Sequence, residues 1–197
     1  MGFRGKYFDP LLLARKAEGK STHVLDLMGS GYFIRNEALA DSITGFRLET
    51  LPLSEAELAY WGKRPEFLGD AFSSDSWAGL DRYMLDHGIP KYDLIACRPW
   101  GAWKRFSGGA YSGEIENLTL LLSRAANRLS STGEAWFSIY STHTNEVFAQ
   151  ASRMIELKDT LRKMGFRSEI EQSAPAFIGY KVIRVEMRIS PVRRYSL

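Results

Sequence analysis

Short apolar runs alternate with longer stretches whose apolar residues recur at helical spacing, and this alternation carries most of the structural information in the chain. Residues 10–18 read as a short helix with Leu11, Leu12 and Leu13 as its apolar part, stopped at Gly19. Residues 24–27 form a short buried-strand pattern that runs into Gly29-Ser30-Gly31. A helical pattern follows over 33–40 and a strand pattern over 42–48. Residues 55–61, with Ser54 as cap, predict a helix, and a third short strand ends at Phe67-Leu68 before Gly69-Asp70. A helix over 80–86 leads through the breaker Gly88-Ile89-Pro90 to an apolar strand over 92–97.

In the second half, residues 114–129 carry Ile115, Leu118, Leu121, Leu122, Ala125 and Leu129 at helical spacing, with Ser130-Ser131-Thr132-Gly133 as the stop. A fifth strand is expected over 135–140. A long helix over 146–164 ends at Gly165, which supplies a left-handed cap. Two strands over 166–171 and 180–189 follow with only a loop between them. Alternating strands and helices predict a parallel sheet covered on both faces, and two consecutive strands predict an antiparallel finish. The expected fold is therefore α/β, a three-layer sandwich around a mostly parallel seven-stranded sheet with an antiparallel C-terminal strand pair. No repeat or low-complexity linker interrupts the chain, so residues 1–197 are expected to form one domain, with a short N-terminal helix over 10–18 and a basic tail over 190–197.

Composition narrows the functional classes. The chain is 45% hydrophobic and 25% charged, a globular balance. No apolar run approaches the roughly 20 residues that cross a bilayer, and Met-Gly-Phe-Arg-Gly-Lys-Tyr lacks a signal-peptide core, so a cytoplasmic protein without a membrane partner is expected. Cys97 is the single cysteine, and His23, His87 and His143 are scattered, so no metal site is expected. Twenty-six basic residues against 23 acidic leave a net charge of +3, with Arg188, Arg193 and Arg194 near the C-terminus. That excess does not mark a dedicated nucleic-acid binder.

The strand ending Val24-Leu25-Asp26-Leu27 before Gly29 and Gly31, the Gly69-Asp70-Ala71-Phe72 segment, the Tyr92–Cys97 strand running into Arg98-Pro99-Trp100, and the helix-Gly165-Phe166 finish occur in an order that resembles the class I S-adenosylmethionine-dependent methyltransferases. The resemblance spans about Thr22 to Ile189. It implies a Rossmann-like fold and S-adenosylmethionine as cofactor, with Asp26, Gly29 and Gly31 facing its methionine portion. That portion carries an ammonium and a carboxylate, which call for an acid and for backbone amides that can approach closely. By the same resemblance Asp70 would accept from the adenine amino group and Phe72 would pack on the ring. Each segment also has a plain reading: a tight strand-to-helix turn at Gly29–Gly31, and a capping Asp70 with a core Phe72.

Three features depart from the family pattern. The second strand runs Gly45-Phe46-Arg47, where an acid gripping the ribose hydroxyls is usual; Glu49, two residues on, is a substitute on the same strand face. The glycine loop is one residue short, with Tyr32 where a third small residue is common. Arg98 stands where amino-directed members place Asn or Asp, and arginine has only donors, so it cannot take a proton from an amine.

Residues beyond the fourth and fifth strands are the candidates for chemistry. His143, in Tyr-Ser-Thr-His-Thr, has the right acid–base character for a catalytic role, and Arg98 stands at the position implied for the reacting methyl. Arg98, Trp100 and Trp103, in a run that interleaves aromatic and cationic residues, can stack on a planar anionic substrate such as a nucleotide. The plain readings are an exposed loop histidine and a loop packed over its own domain. Two functions thus stand side by side: a methyltransferase of unknown substrate, or a catalytically degenerate module of the same fold that binds a protein or nucleic acid. A nicotinamide-dinucleotide domain with Arg47 on a 2′-phosphate fits less well, because the third glycine is missing.

Overall fold

The computed structural model describes residues 9–27, 40–47, 67–68, 73–97, 115–141, 158–173, 176–177, 180–181 and 183–191. It divides into two compact units, Met1–Ala96 and Cys97–Leu197.

In the first unit, helix α1 (Asp9–Ala17) precedes strand β1 (His23–Leu27), β2 (Ser42–Arg47), the short β3 (Phe67–Leu68), helix α2 (Ser74–Asp86) and β4 (Tyr92–Cys97). The strands lie in the order β3-β2-β1-β4. β1 pairs with β2 in parallel, His23 opposite Ser42 through Leu27 opposite Phe46, and β2 pairs with β3 in parallel, Arg47 opposite Leu68. Val24, Leu25, Asp26 and Leu27 are all fully buried, as are Tyr92, Ile95 and Ala96. Burial on both faces explains why these strands read as unbroken apolar runs rather than alternating ones.

α2 begins at Ser74, six residues before the sequence-based start at Leu80. Its first three residues, Ser74, Asp75 and Ser76, are polar and hide the start of the apolar stripe, but the Ser73 hydroxyl accepts from the Asp75 amide at 3.2 Å and caps them. Trp77, Leu80 and Met84 then fall on one buried face. The helix closes with Ile89 N–H donating to Met84 C=O at 2.8 Å around Gly88 at φ +65°, and Ile89 is buried.

α1 is tied to the sheet by polar contacts. The Arg15 guanidinium lies 2.6 Å from the Asp93 carboxylate, with the two side chains only 11% and 9% exposed. Arg15 also donates to Thr22 Oγ1 at 3.2 Å and to the Ser21 carbonyl at 3.1 Å. The second oxygen of Asp93 accepts the His23 N–H at 3.0 Å. This contact joins the beginnings of two neighbouring strands, so β1 and β4 run in the same direction. Beside them, Asp41 accepts the Thr22 amide at 2.5 Å and returns its own N–H to the Thr22 carbonyl at 2.9 Å.

The hydrogen bond from the Thr22 amide holds the Asp41 carboxyl below its ordinary range, outweighing the opposing effect of desolvation. A carboxyl with a folded pKa below its unfolded value adds stability above the unfolded value, about pH 4, and that contribution disappears as pH falls through the folded value. Asp41→Asn is accordingly expected to flatten the acid limb of the stability profile below about pH 4 while leaving its shape near neutrality unchanged, as followed by urea unfolding.

In the second unit, helix α3 (Ile115–Ala126) is followed by β5 (Leu129–Ser141), helical turns at 158–163, β6 (Phe166–Ser173), β7 (Ala176–Phe177), β8 (Tyr180–Lys181) and β9 (Ile183–Pro191). β9 lies between β5 and β6 and is antiparallel to both, Phe137 and Ile170 flanking Met187. α3 packs on β5 and β9 and buries Leu121, Leu122, Ala125 and Ala126. It ends three residues before the expected Leu129, because Arg128 N–H returns to Ala125 C=O at 2.9 Å and the Arg128 side chain takes the Arg124 carbonyl at 2.7 Å. Leu129 belongs to β5, and the Ser130–Gly133 stretch expected to be a stop is extended strand.

The expected strand over 180–189 is also divided. Tyr180–Lys181 pairs with Ala176–Phe177 in a small antiparallel ribbon, while Ile183–Pro191 joins the larger sheet. Across that sheet Trp136 stands opposite Arg188 and Glu169 opposite Arg188. The Arg188 guanidinium lies 5.3 Å from the Trp136 ring centroid and pairs with Glu134, which also accepts the indole N–H at 3.3 Å. Gly165 has φ +86°, as the cap over 146–164 requires. Gly165→Ala should cost about 1–2 kcal/mol in denaturant unfolding through that backbone conformation alone, since an added Cβ meets nothing within 4 Å.

The expected helices over 33–40, 55–61 and the start of 146–164 lie outside the described residues. Among those described, no helix is long and apolar enough to cross a membrane, and no group of three or more His, Cys, Asp or Glu side chains could hold a metal.

Candidate functional site

The directions of the first unit's strands fix one sheet edge. β1, β2 and β3 are parallel and β4 starts beside β1, so Leu27, Arg47 and Leu68 end on the same side. Open parallel sheets bind ligands beyond this edge, where loops leave the strands.

Asp26 is the chemical feature of that edge. It is the penultimate residue of β1 and its side chain is fully buried. A carboxylate at such a position has lost its water, which costs several kcal/mol per ion unless charge and hydrogen bonds compensate. The opposite residue on β2 is Gly45. Side chains of paired residues share a sheet face, so the face that carries Asp26 has no side chain at the neighbouring position. Asp26 stands next to the strand end, where Gly29 and Gly31 follow in sequence.

Of the other sequence candidates, Gly29, Gly31, Glu49, Asp70, Phe72, Arg98, Trp100, Trp103 and His143 lie outside the described residues. The backbone of Arg47 is described and lies opposite Leu68 at the last described position of β2. The Arg15–Asp93–His23 cluster was not foreseen as a unit. Its signal was Asp93, an acid set inside the otherwise apolar run Tyr92–Cys97, and its place at the start of β4 makes it an anchor for α1 and not part of the ligand edge.

No protein-family model matches the chain, and no curated protein resembles it in sequence. Its likeness is to solved structures. The methyltransferase domain of bacterial CtHen1-C superposes with a TM-score of 0.55 at 11% identity, covering 94% of this chain and 96% of that one. The corresponding domain of CtHen1-CN gives 0.53 at 11% identity over 92% and 96%. The N-methyltransferase NodS from Bradyrhizobium japonicum WM9 gives 0.52 at 10% identity over 95% and 97%. The chain therefore has the α/β fold of the class I S-adenosylmethionine-dependent methyltransferases. Identities near one in ten carry that fold and nothing finer.

Proposed function

We propose that the protein is an S-adenosylmethionine-dependent methyltransferase of undefined substrate. The observation that carries this reading is buried Asp26 at the end of the inner strand β1, opposite Gly45 and just ahead of Gly29 and Gly31, in a chain with the methyltransferase fold. In this reading the chain is one domain, with a seven-stranded sheet between two helical layers.

The cofactor, when bound, supplies an electrophilic sulfonium methyl group. Asp26 would hold its ammonium, with Gly29 and Gly31 giving backbone amides to its carboxylate. Glu49 would accept from the ribose hydroxyls in place of the usual acid, and Asp70 and Phe72 would bind the adenine. Trp100 and Trp103 would stack a planar substrate while Arg98 offers donors to its anionic groups. His143 would take the proton released by an N or O nucleophile, a task Arg98 cannot perform because it has no acceptor. Titration calorimetry with S-adenosylmethionine tests the reading: saturable micromolar heat is expected, and no heat at millimolar cofactor refutes it.

A second reading rests on Arg47 at the end of β2 and keeps the fold without the chemistry, as a binding module for a protein or nucleic acid. Retention on immobilised single-stranded RNA together with silence toward S-adenosylmethionine would select it.

A further inference from the structure

We propose that two copies of this chain associate through the outer edge of β6, pairing antiparallel about a two-fold axis at Ser168. This surface is independent of the methyltransferase reading. Among the described strands β6 has β9 on one side and no strand on the other. An eight-residue strand with no described partner strand along one edge presents a row of N–H and C=O groups that a second strand can satisfy. Proteins commonly guard such an edge with charge, and β6 carries Arg167 and Glu169 with side chains 72% and 50% exposed.

The order of those charges turns the guard into a selector. Arg167 and Glu169 lie on the same strand face, 2.5 Å apart as an ion pair within one chain. A two-fold at Ser168 sets Arg167 opposite Glu169 of the second copy twice over, with Phe166 opposite position 170, an isoleucine. A two-fold at Arg167 sets Arg against Arg, and one at Glu169 sets Glu against Glu. Like charges directly opposite are destabilising and opposite charges favourable, so the sequence Phe-Arg-Ser-Glu-Ile is self-complementary in the register centred on Ser168. Such an isologous contact closes on itself and gives a dimer rather than a fibre.

Sedimentation velocity of the full-length protein at about 1–100 μM, bracketing the affinities of modest interfaces, tests this. A concentration-dependent dimer is expected for the native chain. Arg167→Glu should shift the midpoint at least tenfold toward monomer, because it places Glu opposite Glu169. The exchanged pair Arg167→Glu with Glu169→Arg restores opposite charges across the axis and should restore the dimer. Glu169 also stands opposite Arg188 on β9, so Glu169→Arg sets like charges together within one chain and the exchanged pair should melt somewhat below the native chain; sedimentation is read well below that melt. A native chain that is monomeric throughout, or a dimer indifferent to Arg167→Glu, overturns the proposal. So does a dimer that the exchanged pair fails to restore while it is folded at the temperature of measurement.

Discussion

Asp93→Ala is expected to lower the free energy of unfolding by about 3–5 kcal/mol, the loss seen when one member of a buried ion pair is removed. Arg15 and Asp93 are about nine-tenths buried, so deleting the acid leaves a buried guanidinium whose remaining described hydrogen bonds go to neutral groups, the Thr22 hydroxyl and the Ser21 carbonyl. It also removes the acceptor of the His23 amide at the start of β1. A buried donor without an acceptor costs a further 1–3 kcal/mol or so when nothing replaces it. The double variant Arg15→Met with Asp93→Asn separates these causes. It removes both charges yet keeps a side-chain carbonyl for His23, and should recover most of the loss. Urea unfolding followed by far-UV circular dichroism measures both variants. A loss below about 1 kcal/mol for Asp93→Ala would show that α1 is held by Leu12 and its apolar contacts instead.

Asp26→Asn is expected to weaken binding of S-adenosylhomocysteine by about ten- to a hundredfold. The amide has the shape of the acid but not its charge, and a hydrogen bond to a charged group is worth about 1.5–3 kcal/mol. Because asparagine fills the same space in a position with no exposed surface, the packing of Val24, Leu25 and Leu27 around it should be kept. Calorimetric titration of native and variant protein reads the affinity, and near-UV circular dichroism confirms that the aromatic environment is retained. Equal affinities would move the ammonium contact away from Asp26.

The β1 and β4 strands were legible in the sequence because they are buried on both faces, which leaves no polar interruption except the two acids Asp26 and Asp93. Those interruptions were the informative residues: one lies at the end of its strand, the other at the opposite end of the sheet. Pattern alone could not tell the two apart, because the difference lies in where each acid falls along its strand. Asp26 is next to the end of β1, whereas Asp93 is next to the beginning of β4. Boundaries failed where capping outweighed periodicity. Ser73 starts α2 over a polar first turn, and Arg128 closes α3 before Leu129, which had continued the apolar stripe in sequence but packs from β5. The β7–β8 ribbon was missed because its pairing is local and two residues long on each side, too short to leave a period. Gly45 opposite Asp26 follows from the register of β1 on β2, which no single-strand pattern contains.

A crystal structure of the chain grown with S-adenosylhomocysteine decides whether Asp26 holds the cofactor. The ligand is expected beyond the C-terminal end of β1, its amino group toward Asp26 and its ribose beside the end of β2. A pocket at that edge filled by the side chain of Tyr32 or Arg47, with no ligand at millimolar concentration, would contradict this placement.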